Sequence, residues 1–172
     1  MAETQRIEKL AADAAPKARA LAIAPEAVYL DAARWRRLSE ARTLEDYAAS
    51  WLELQAGIIG GVQGGVAVLR ESEDRPLVPL ATWPADGSVD PSLAAAAEVA
   101  LSEGRGVLQS LKHSAEGEGE APRDVIAYPL IVDEQASGVV ALEMSRRAND
   151  AQRIAMRQLQ WGSGWLEAML RH

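Results

Sequence analysis

A hydroxyl between two glycines, Gly162-Ser163-Gly164, is the nearest this sequence comes to a nucleophile motif. Serine catalysis needs a base beside the hydroxyl and a sharp strand-to-helix turn to present it. Ser163 sits instead in a helical pattern, and neither His113 nor His172 is spaced to serve it. The chain has no phosphate-cradling Walker motif and no His-Glu-x-x-His. Its lack of cysteine removes thiolate nucleophiles, disulfides, zinc knuckles and iron–sulfur ligation together. Glu116, Glu118 and Glu120 alternate with Gly117 and Gly119, which does not match an EF-hand ligand spacing and reads as a solvated loop. Arg34, Arg36 and Arg37 around Trp35 form a short basic turn that reads as a solvated helix face. The expectation is a non-enzymatic chain with no catalytic residues, no metal site and no cofactor.

Composition narrows the partners. The 172 residues carry a formal charge of −7, so the basic face needed to displace counterions from nucleic acid is absent. Hydrophobic residues make up 48%, enough for one proper core, and with no Phe that core must be built from Leu, Val, Ile and Ala. The first 25 residues lack the apolar run of a signal peptide, and no stretch reaches the ~20 apolar residues of a membrane helix. A soluble, cytoplasmic chain follows as the expectation.

The periodicities then place the elements. Ile7, Leu10, Ala14, Ala18 and Leu21 read as a helix interrupted by Pro16, and Pro25 opens another over 25–40. Thr43 caps a helix over 44–58 bearing Leu44, Tyr47, Trp51, Leu54 and Ile58, ended by Gly60-Gly61. Gly65–Arg70 and Leu77–Trp83 read as a hairpin around the polar turn 71–74, with Pro79 forcing an edge position. Ser92 is expected to cap an alanine-rich helix to Leu101, followed by a short strand, Val107–Leu111, and a mobile Gly-Glu loop over 114–120. Val125–Val132 and Gly138–Met144 predict a central hairpin in which Val125, Ala127, Leu130, Val132, Val140 and Leu142 include several fully buried positions, with Pro129 marking a bulge or strand start. Asn149 is expected to cap the last helix, 150–171. This order predicts an α+β domain over 43–172, with a helical extension over 1–42.

Ala127-Tyr128-Pro129-Leu130 followed by Gly138-Val139-Val140-Ala141-Leu142-Glu143 resembles the last hairpin of GAF domains. Three further pieces are Trp51-Leu52-Glu53-Leu54-Gln55, Ala81-Thr82-Trp83-Pro84 and Leu159-Gln160-Trp161-Gly162-Ser163-Gly164-Trp165-Leu166-Glu167. Together they are similar to the N-terminal GAF domains of bacterial HlyD-like membrane-fusion adaptors of efflux systems. The resemblance runs from about residue 44 to 171. It implies a central antiparallel sheet of five to six strands, with the N- and C-terminal helices packed on one face. It also implies a natural protein that continues past His172 into a membrane span, making this the cytosolic part of an inner-membrane protein and the membrane-transport machinery its partner. The chain departs from other GAF groups: it lacks the Asn-Lys-Phe-Asp-Glu type of cyclic-nucleotide signature and the cysteines of bilin-binding and sulfoxide-reducing members. The identity of a small-molecule ligand therefore does not carry over.

In a GAF fold the pocket opens between the sheet and the helix starting near Ser92. Its implied lining is Trp83, Leu93, Leu108, Tyr128 and Glu143, with His113 on the neighbouring loop. For Trp83 the competing reading is a core lid, and for His113 a solvated loop histidine. The terminal helices would bring Trp51, Leu54 and Ile58 beside Trp161, Trp165 and Met169 as a homodimer or relay surface. The competing reading packs Trp161 and Trp165 into the core. Two functions stay open: a sensor whose ligand biases the terminal helices, and a ligand-free dimerisation or protein-interaction module.

Overall fold

The structure, a computed structural model, describes residues 25–70, 75, 77–111 and 121–172. The expected helix over 3–22, the turn 71–74 and the loop 114–120 lie outside them. The chain divides into two units, Met1–Ala33 and Arg34–His172. The elements in chain order are α1 (Pro25–Glu40), α2 (Leu44–Ile59), β1 (Val62–Leu69), β2 (Val78–Trp83), α3 (Pro91–Glu103), β3 (Val107–Leu111), β4 (Arg123–Val132), β5 (Gln135–Ser145) and α4 (Asn149–Leu170). Among the described residues no helix is long and apolar enough to cross a membrane.

The strands form one five-stranded antiparallel sheet in the order β2-β1-β5-β4-β3. The period of two divides its side chains between two cores. Val66, Val68, Val125, Ala127, Val139 and Ala141 face the alanines of α3. Ala67, Ile126, Leu130, Val140, Leu142 and Met144 face α2 and α4, where Trp51, Leu52, Leu54, Leu159 and Leu166 complete the larger cluster. Leu38 from the end of α1 joins that cluster. The fold is α+β, with the flanking helices α2 and α4 together on one face, as the resemblance implies.

Local chemistry explains the boundaries and corrects a few. Thr43 Oγ1 accepts from the Asp46 amide at 3.1 Å, the expected cap. The cap of α3 is Asp90 rather than Ser92: Asp90 Oδ1 accepts from the Ser92 amide at 2.8 Å, and Pro91 takes the first helical position, where no donor is lost. Asn149 is inside α4 and does not cap it; Ala148 holds the cap position without a side-chain bond. Val132 is half-buried, because β4 ends there in a tight turn whose Asp133 and Glu134 both take positive φ. Pro79 lies on the edge strand β2, at the bulge where the register with β1 shifts. Pro129 is in a central strand but beyond the end of β3, which pairs with β4 only as far as Ala127.

Two polar ties fix α4 against this frame. Asp124 is fully buried on the α2/α4 side and accepts from Ser110 Oγ at 2.8 Å and Gln152 Nε2 at 2.7 Å. The Arg147 amide and Arg146 Nε approach the same carboxylate at 3.3 Å each. Arg147 then donates to the carbonyls of Ile59, at 3.0 Å, and Gly60, so the end of α2 and the start of α4 are held by one hub. At the other end of α4, Glu167 Oε1 accepts from the Ile131 amide at 2.8 Å.

Candidate functional site

Three strand rows on the α3 face change character at one end of the sheet. Val68 and Val66 lead to Gly64, Val139 and Ala141 to Glu143, and Ala127 and Val125 to Arg123. There the apolar floor gives way to a cavity of about 290 Å³, lined by these three residues with Gln63, Trp83, Asp90 and Leu93. Glu143 is 5% exposed, and Arg123 reaches across from β4 to pair with it. A carboxylate buried to that degree needs such a partner. Gly64 keeps the floor open, since its missing side chain would point at Leu93. The bonds from the Ser92 hydroxyl and amide, helped by the Arg123 charge, hold the Asp90 carboxyl below its usual range.

A second cavity, of about 590 Å³, lies beside it on the same face, across the segment Ser88-Val89-Asp90. Its walls are apolar: Val66, Val68, Leu77, Pro79, Val89 and Ala97. The exposed Arg75 and Glu98 also line it. The volume exists because α3 presents alanine where a larger residue would close the space. It falls in the ~300–1,000 Å³ range of small-molecule sites, and the apolar walls with two charged residues match their usual make-up.

Of the implied ligand residues, Trp83, Leu93 and Glu143 come together in the polar cavity. Leu108 and Tyr128 do not join them. Leu108 pairs with Ile126, and Tyr128 with Val140, so both project to the α2/α4 face. There Leu108 lines a shallow recess with Asn149, Gln152 and Met156. His113 lies outside the described residues. The larger cavity leaves one trace in the sequence, the pair Ala94 and Ala97, one helical turn apart opposite Val66 and Val68.

The six helix residues separate into two groups. Trp51 and Leu54 are core, and the Trp51 indole donates to the Gly162 carbonyl at 2.9 Å. Ile58, Trp161, Trp165 and Met169 are exposed, Trp161 by 60%. The ring of Trp165 lies between Trp161, at 6.1 Å, and Trp35 of α1, at 5.8 Å.

No family model matches the chain, and no curated protein matches it. Solved structures do. The A. aeolicus nlh2 GAF domain in an inactive state superposes with a TM-score of 0.61 at 14% identity, covering 85% of this chain and 97% of that one. A putative GAF sensor protein from Burkholderia vietnamiensis gives 0.54 at 16% identity, over 85% and 92%. The GAF domain of the Acinetobacter phosphoenolpyruvate-protein phosphotransferase gives 0.53 at 10% identity, over 87% and 97%. At such identities the likeness is one of fold, and the fold of this chain is that of the GAF domains.

Proposed function

We propose that this chain is a non-enzymatic, GAF-type sensory domain that binds a small apolar molecule between α3 and the β1–β2 hairpin. The observation that carries this reading is the cavity of about 590 Å³. A concave recess of that volume with an apolar lining suits a small apolar ligand better than a broad docking face. Among the described lining residues Arg75 and Glu98 carry the charges, which favours a ligand that buries an apolar body and leaves one polar end near them. Binding would stiffen the α3 side of the sheet and bias α4 through the hub at Asp124. The resemblance in the Trp51, Trp83 and Trp161 segments supports placing the domain in the cytosolic N-terminal part of an efflux or secretion adaptor, with transport machinery as its partner. The exposed tryptophans of α4 favour a second reading, an interaction module, which is compatible with the first.

The test is a thermal-shift screen of small apolar compounds on the intact chain and on Ala97→Leu, which fills the cavity from within α3. A binder at 100 times its Kd should stabilise the parent by about 2.7 kcal/mol and leave Ala97→Leu unshifted. A screen without binders, or binders indifferent to Ala97→Leu, would overturn the reading.

A further inference from the structure

The smaller cavity, of about 290 Å³, is divided from the apolar one by the segment Ser88-Val89-Asp90. Its described lining sets two carboxylates, Asp90 and Glu143, against one guanidinium, Arg123, and so carries a net negative charge. Arg123 pairs with Glu143 Oε1, while Oε2 of this buried residue accepts no hydrogen bond among the described residues. Asp90 is similarly half-used. Its Oδ1 accepts from the Ser92 amide at 2.8 Å and the Ser92 hydroxyl at 2.5 Å, and its Oδ2 accepts nothing among the described residues. No fully buried side-chain oxygen there lacks a partner, so both open oxygens face the cavity.

An anion finds its natural seats already taken. The N-terminus of α3 would attract one, but the Asp90 carboxylate occupies that end by accepting from the Ser92 amide. The Arg123 charge is engaged by Glu143. A bare metal ion is poorly served too, since among the described residues no group of three acidic or histidine side chains could hold one. An organic cation is matched instead. Trp83 lines the cavity beside the carboxylates, and an indole face attracts an ammonium group within about 6 Å of its centroid. Leu93 gives a short apolar stem its contact, and the bare backbone of Gly64 leaves it room.

We propose that this cavity is a second binding site, for a small primary amine whose ammonium group donates to the open oxygens of Glu143 and Asp90 while its stem lies against Trp83 and Leu93. The site stands independently of the apolar ligand proposed above and needs no contact with it.

A heteronuclear NMR titration of the intact chain is the test, with butylammonium chloride as probe and sodium butyrate and butanol as its anionic and neutral matches at constant ionic strength. Butylammonium should shift the Trp83 indole and Ser92 amide signals saturably, with a Kd of about 1 mM or tighter, and neither match should do so. Glu143→Gln should abolish the response. Because that change also removes a partner of the Arg123 charge, Asp90→Asn is the deciding variant. Asn caps a helix as well as Asp does, so the fold is kept, and binding should weaken at least about tenfold. Gly64→Ala should weaken it as well, its added Cβ taking space from the stem while meeting Leu93 at an ordinary 3.8 Å. Ala97→Leu, which closes the apolar cavity, should leave the amine affinity unchanged. If Ala97→Leu abolishes amine binding, this site falls while the apolar one stands. No saturable shift, equal shifts from butyrate, butanol or calcium chloride, or an Asp90→Asn chain that binds as tightly as the parent would each overturn the proposal.

Discussion

Asp124 shows how one side chain can hold three elements in place. Burial pushes its carboxyl up, but bonds from Gln152, Ser110, the Arg147 amide and Arg146 together outweigh that and hold it below the usual carboxylate range. Its folded pKa is therefore lower than its unfolded one, so the native state binds fewer protons through this range. The stability this adds is fully present above the unfolded value near ~3.9 and is lost as pH falls through the folded value. Asp124→Ala strands Gln152 and Ser110 and frees the start of α4; we expect it to cost about 3 kcal/mol at pH 7. In Asp124→Asn the acid-dependent part should shrink, which melts at pH 7 and pH 3 would reveal. Equal losses of melting temperature on acidification in parent and Asn variant would contradict this account. Nothing in the sequence singles out Asp124, which reads there as the polar boundary of an apolar strand. Its role depends on Ser110 of β3, Arg146 of the β5–α4 link and Gln152 of α4 reaching one point, and spacing along the chain does not encode that.

At the scale of the element, α4 carries two glycines with opposite consequences. Gly162→Ala would press a methyl group into Gln55, which is 2% exposed and already bonded to Gln158 at 3.1 Å. We expect a loss of about 1–2 kcal/mol, the cost of overpacking less the helical gain of alanine. Gly164→Ala removes the helical penalty without a clash and should stabilise the isolated chain by about 0.5–1 kcal/mol. Chemical denaturation at a concentration low enough to keep the chain monomeric compares them; shifts of the same sign would refute the contrast. The period of α4 was legible, since Leu159 and Leu166 repeat toward the sheet. What periodicity left open was the fate of Trp161 and Trp165. A tryptophan at helical spacing is equally at home in a core or an interface, and the core side of α4 was already filled by Ala155, Leu159, Ser163 and Leu166. The strands show a similar limit. Near-continuous apolar runs mark β4 and β5 as buried without saying which layer each side chain meets, and the lining that the resemblance implies joins Leu108 and Tyr128 to Glu143 although they sit on the other face.

For the molecule as a whole, β5 decides how the layers unfold. It pairs along its length with β1 on one side and β4 on the other. Val139 and Ala141 close the α3 core, while Val140 and Leu142 close the α2/α4 core. The two cores share one backbone, and a strand cannot leave one without leaving both. The unit Arg34–His172 should therefore melt in a single step, with Trp fluorescence on one face and far-UV ellipticity of all helices changing together. Val140 has 0% exposure and lies in the apolar cluster with Trp51, Leu142 and Leu159. Val140→Asp would place an unpaired charge there, at a cost of several kcal/mol against a total stability of about 5–15 kcal/mol. We expect that variant to lose both the Trp51 signal and the helical signal of α3 at 25 °C, although α3 touches only the opposite face. Retention of a folded α3 layer, detected as residual protection of Ala96, Ala97 and Ala100 amides from hydrogen exchange, would show instead that the two cores are separable. In that case a ligand beneath α3 would have no rigid route through the sheet to α4.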